Sequence, residues 1–273
     1  MKLKVVPAMR GWMWMRQGVR LSLKQPLGFM SLVGLIITGA MLLIAIPVAG
    51  AVVIVSAMPV VWMGFILSSH RVQMDARITP GVLIEPLKER EMRPQWLRLG
   101  GAYTVSTFAV MALAGWLGPS LEELSAAMDA VGSSDIALNN GVIQSAVLWR
   151  LGLTIPISLV FWHTPVLLHW GHVPASKALF FSAVASWRNL GAFIVYAASW
   201  LGLLLIVGLL MQLAGALVPV PMVGSFIAAM GGLWVASAFY ASLYFSVMDC
   251  FEPTDQQLSA MAIPAGSRGT LKP

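Results

Sequence analysis

The chain alternates between long stretches with no charged side chain and shorter stretches crowded with basic ones. Residues 28–69 contain no Asp, Glu, Lys or Arg. One bilayer crossing needs about 20 apolar residues, so this block is too long for one span and right for two. Pro47 and Gly50 supply the break. The same pattern predicts spans near 28–46, 51–69, 99–117, 146–168, 191–217 and 223–248. Pro156 and Pro165 interrupt the fourth, and Pro219-Val220-Pro221 makes a tight turn between the last two.

The polar stretches have patterns of their own. From Ala8 to Lys24 the period is helical, with Trp12, Met15, Val19 and Leu23 on one side and Arg10, Arg16, Arg20 and Lys24 on an adjoining arc. That predicts an interfacial helix within 1–26, lying on the inner leaflet and ended by Pro26. Residues 70–98 predict one or two surface helices, with starts or turns at Thr79-Pro80 and Glu85-Pro86. Ser120-Leu121-Glu122-Glu123 fits a capping box. Leu121, Leu124, Met128 and Val131 follow as an apolar stripe, and Gly132 is the stop. This is a short helix on the outer surface. The organisation is thus an interfacial helix at 1–26, a transmembrane domain at 27–248 and a polar cytoplasmic tail at 249–273 without order of its own.

Composition agrees: 58% of residues are hydrophobic and 10% charged, against about 25% charged in soluble domains. The first apolar block starts late and is too long for a secretory signal, so the first span reads as a retained anchor. The charge asymmetry adds orientation. Of the chain's 17 Lys and Arg, six lie in 1–26, six in 70–98, two in 169–189 and two in the tail, which leaves Arg150 alone on the other side. Basic residues stay in the cytoplasm. The expected fold is an all-α membrane protein with six transmembrane helices and cytoplasmic N and C termini.

A weak repeat overlies this. Leu23-Lys24, Leu97-Arg98 and Trp187-Arg188 each precede an odd-numbered span, and each basic residue is followed five positions later by Phe29, Tyr103 or Phe193. Two readings stand: three units of surface helix plus helical hairpin, or the ordinary belt of basic and aromatic residues at span entries.

Candidate chemistry is sparse. His163, His169 and His172 cluster at the end of span four. They read as interfacial residues beside Trp162 and Trp170, or as ligands of haem or a metal, or as proton or substrate contacts. Arg150 either snorkels to the headgroups or pairs with Glu122, Glu123 or a lipid phosphate. Ser225, Ala229, Gly232 and Ala236 form a small-residue stripe for close helix packing, within the bundle or between molecules. Tyr240 and Tyr244 read as belt residues. The lone Cys250 reads as an inert thiol. Arg10, Arg16, Arg20, Lys24, Arg98 and Arg188 are candidate contacts to anionic lipid or to another membrane protein. The basic excess does not point to nucleic acid. No Asp or Glu falls within the spans, which argues against a proton-coupled carrier. No catalytic residue, cofactor site or metal site emerges, so an enzyme is not expected.

The segment Phe161–Phe193, FWHTPVLLHWGHVPASKALFFSAVASWRNLGAF, and the Pro7-Ala8 start of a Trp- and Arg-rich helix ending at Arg20 resemble an uncharacterised family of six-span bacterial inner-membrane proteins. The resemblance implies multi-pass inner-membrane localisation and carries no assigned chemistry. An accessory, assembly or envelope-organising role leads the expectations. The rivals are a transporter or lipid-handling protein, and a haem or metal protein through His163 and His169.

Overall fold

In the computed structural model, residues 2–131, 140–217 and 221–252 are described. The stop at Gly132, the turn residues Pro219 and Val220, and the tail from 253 with Arg268 and Lys272 lie outside them. Among the described residues the helices are α1 (Arg10–Lys24), α2 (Pro26–Ile44), α3 (Ala49–Gln73), α4 (Arg93–Leu117), α5 (Leu121–Val131), α6 (Gly141–Phe161), α7 (Thr164–His169), α8 (Ala175–Arg188), α9 (Leu190–Leu217) and α10 (Pro221–Cys250). Two short strands, β1 (Lys2–Leu3) and β2 (Phe251–Glu252), pair antiparallel. Among the described residues, six helical segments are long and apolar enough to cross a membrane.

Local chemistry explains the boundaries. Pro26 occupies the first turn of α2, where its missing N–H costs nothing. At the α2–α3 turn, Val48 takes φ 59° and a Cβ on Gly50 would collide with the Leu43 carbonyl, so the turn needs its glycine. The expected capping box forms: Ser120 N donates to Glu123 Oε2 at 2.8 Å, and Glu123 N donates to Ser120 Oγ at 3.1 Å. Asn140 caps α6, its Oδ1 accepting from Val142 N at 2.9 Å.

The fourth span does not run through. Pro165 has no N–H to continue the ladder, and the helix stops at Phe161 and restarts as the single short turn of α7. In 70–98 the surface helices expected from the sequence are 3-10 turns, Pro80–Leu87 and Arg90–Met92, punctuated by the same prolines. Surface α-helices therefore precede α2 and α9, but not α4.

The core lies at one end of the bundle. One cluster gathers Phe29, Leu32, Met63, Phe65, Trp96, Leu99, Phe161 and Val247. A second, around α1, gathers Trp14, Phe193, Tyr196, Trp200, Ala238 and Phe251. Toward the other end the spans turn large side chains outward, such as Met41, Leu42, Leu205, Leu209 and Phe226. In hydrocarbon these exposures carry no penalty, because lipid tails are as apolar as leucine.

Candidate functional site

Among the described residues the packed end concentrates the buried polar side chains, and α1 organises it. Gly11, Trp14, Met15, Gly18, Leu21 and Ser22 are buried. A Cβ at Gly11 would strike the Ala192 carbonyl, and one at Gly18 would strike Ser242, so two glycines one heptad apart let α1 press onto α9 and α10. Trp14 fills the seam, edge-on to Phe193 and Tyr196 with ring centroids 5.5 and 6.0 Å away.

The face buried is not the one expected. Met15 is buried, but Trp12 and Leu23 are 43% and 58% exposed. The amphipathic reading saw a single apolar stripe. The helix has instead a small-residue face docked on protein and, on its outer side, an apolar strip of Trp12 and Leu23 beside the exposed cations Arg16, Arg20 and Lys24.

Asp249, in the last turn of α10, ties α1 down. Its carboxylate accepts from Arg10 Nε at 2.7 Å, Arg10 Nη2 at 2.6 Å and Trp14 Nε1 at 2.6 Å. The hydrogen bond to Asp249 raises the Arg10 pKa above its ordinary value, against a smaller opposing effect of burial. Arg10 is thus committed to the protein, while Arg16, Arg20 and Lys24 face outward. Upstream, the strand pairing is extended by Lys4 N donating to the Cys250 carbonyl at 2.9 Å. Asn189 holds the next residues, accepting from Val6 N at 2.8 Å and donating through Nδ2 to the Lys4 carbonyl at 3.0 Å.

A second surface helix, α8, repeats this design. Ala175, Ala178, Ser182, Ala185 and Ser186 face the bundle. Ser182 Oγ accepts the His163 N–H at 2.9 Å, a donor released by the break before α7, and Ser186 Oγ donates to the Leu159 carbonyl at 2.8 Å. The outer face carries exposed Phe180, Phe181 and Trp187 with exposed Lys177 and Arg188.

The other sequence candidates scatter. His163 is fully buried between Phe193 and Phe251, and neither ring nitrogen has a hydrogen-bond partner. It is therefore not an interfacial belt residue. His169 lies beside Trp96, with ring centroids 6.4 Å apart, and His172 is exposed 3.6 Å from Glu89. Among the described residues no three His, Cys, Asp or Glu side chains gather into a set that could hold a metal. Arg98 is exposed at the start of span three. Arg150 is half-buried and donates to the Ala146 carbonyl at 3.2 Å, while Glu123 is occupied by the capping box. Tyr244 is a core residue rather than a belt residue, its hydroxyl meeting His70 Nδ1 at 3.2 Å, and half-buried Tyr240 packs against the core, stacked on Phe65 at 4.4 Å. On the small-residue stripe Ser225, Ala229 and Gly232 are exposed, while Ala236 packs against the core. A cleft of about 270 Å³ remains between α3, α4, α6 and α10, lined by Trp62, Tyr103, Ser158, Trp162 and Tyr240.

Sequence reasoning missed Asp249, Trp14, Asn189, Ser182 and His70. Asp249 had one readable signal, as the acid immediately after the last span, where Lys24, Arg71, Arg98 and Arg188 mark the corresponding ends of spans one, two, three and five.

Six apolar helices closed at one end by amphipathic surface helices define a multi-pass α-helical membrane protein. The chain is 33% identical over 258 residues to a probable inner membrane protein of Burkholderia thailandensis, covering 92% of this chain and 94% of the relative. It belongs to the family of that protein, and it is a multi-pass bacterial inner-membrane protein. No family model and no solved structure matches it.

Proposed function

We propose that this protein acts without catalysing a reaction, as an accessory or envelope-organising component that grips anionic lipid at the cytoplasmic leaflet. The observation that carries this reading is the shared design of α1 and α8. Each docks a small-residue face on the bundle and turns outward an aromatic and basic face: Trp12, Leu23, Arg16, Arg20 and Lys24 on α1, with Lys24 3.9 Å from Asp75, and Phe180, Phe181, Trp187, Lys177 and Arg188 on α8. Aromatic side chains settle at the headgroup level, and each cation near an anionic surface contributes about 1 kcal/mol. The distribution of Lys and Arg supports placing both helices, and with them both ends of the chain, in the cytoplasm. Native mass spectrometry after gentle extraction tests this. The expected result is anionic phospholipid retained well above its share of the membrane; a monomer carrying neither lipid nor partner protein overturns it.

A lipid-handling or transport role is the second reading, favoured by the aromatic cleft between α3, α4, α6 and α10. Scrambling and solute-flux assays in liposomes test it, and rates equal to those of protein-free vesicles end it.

A further inference from the structure

At the packed end a second cleft, of about 490 Å³, opens between α7, α8 and the paired strands β1 and β2. Leu3, Leu167, Phe180, Phe181, Val184 and Phe251 form its walls, and Lys2 is the one charged residue lining it. Its volume falls in the range of small-molecule sites, about 300–1,000 Å³.

The walls are too apolar to hold ordered water, which needs several polar partners. An empty cleft would forfeit dispersion contacts along its whole lining. Hydrocarbon is the remaining occupant, and the rim gives it a charge. Lys177 lies three and four positions from Phe180 and Phe181, and Arg188 lies four from Val184, so both cations share the helix face that walls the cleft. Lys2 adds a third. Glu252 stands opposite Lys2 in the strand pairing; among the described residues Lys177 and Arg188 have no ion-pair partner.

We infer that this cleft holds one acyl chain of an anionic phospholipid of the adjoining leaflet, with its phosphate at Lys2 and Lys177. This rests on the reading that α8 lies at an anionic membrane surface, and narrows it from general attraction to a single seated lipid.

The test uses the full chain in nanodiscs containing phosphatidylglycerol with a diazirine in its acyl chain, followed by photolysis and peptide mapping. Label is expected on the peptides holding Phe180–Val184 and Leu3, in excess over the lipid-facing stretch 201–213. Val184→Trp fills the cleft and should cut that label about tenfold. Leu3→Trp approaches from the opposite wall and serves if the first variant fails to fold. Lys2→Gln should lower the preference for phosphatidylglycerol over phosphatidylcholine about fivefold. Label spread evenly over all lipid-facing helices overturns the inference, as does undiminished label in folded Val184→Trp and Leu3→Trp. The combined variant Arg16→Gln, Arg20→Gln separates the two claims. If it loses bulk enrichment of anionic lipid, the lipid grip proposed for α1 stands whatever the cleft does; if bulk enrichment is unchanged while the cleft label persists, that grip fails and the seated lipid survives.

Discussion

The Asp249 carboxylate takes both prongs of the Arg10 guanidinium, Nε at 2.7 Å and Nη2 at 2.6 Å, across 239 positions of sequence. This pair is charge-assisted and only partly exposed, with side-chain exposures of 33% and 19%, which places it above an ordinary surface bridge. Asp249→Asn preserves shape but weakens three hydrogen bonds at once. It should cost about 2 kcal/mol, read as a lower midpoint in thermal unfolding in detergent. Arg10→Lys cannot form the fork and should fall between that variant and the parent. A midpoint unchanged in both would mean that the pair contributes nothing.

The approach of α1 to α10 depends on Gly18. Gly18→Leu places a side chain where Ser242 already sits and should destabilise by about 1–3 kcal/mol. Undocking loosens the helix that carries the already exposed Arg16 and Arg20, so trypsin should cut there faster. Gly34 has open space around it, and Gly34→Ala should be neutral or stabilise by about 0.5–1 kcal/mol.

His163 has two ring nitrogens without partners in a fully buried position. An unsatisfied buried polar group costs about 1–3 kcal/mol, so His163→Leu should be neutral or stabilising by about 1 kcal/mol. A loss of stability of similar size would reveal a polar partner for the imidazole in the working protein. The unfolding midpoint of the purified variant decides it.

Ser120 and Glu123 exchange two hydrogen bonds at the start of α5. Ser120→Ala should weaken that helix by about 1 kcal/mol. The effect is local: amide exchange at Glu123 and Leu124 should accelerate several-fold, while the global midpoint holds.

The spans were legible because the bilayer imposes one length and one polarity on every crossing, and the absence of charge from 28–69 admits no other reading. The capping box was legible because all its partners lie within four residues. The docking of α1 was not. Its apolar residues occur on two faces, and the 3.6-residue period cannot tell lipid from protein when both are apolar. What distinguishes the docked face is small size at Gly11 and Gly18, a signal about close approach rather than hydrophobicity. The partners of Asp249 and Asn189 were hidden for a different reason: each joins segments far apart in sequence that no local spacing brings together. The 3-10 turns at 80–92 show prolines breaking up the surface helices expected there.

The pairing of Lys2–Leu3 with Phe251–Glu252 has a consequence for biogenesis. α1 is synthesised well before α9 and α10, the two spans that carry its docking surface. Throughout synthesis α1 must therefore wait at the membrane without its protein partner. Its outward cations and its exposed Trp12 and Leu23 suit it to rest on the lipid surface during that delay. Arg10 meets Asp249 only when α10 is complete, so that ion pair marks the moment at which the assembly closes.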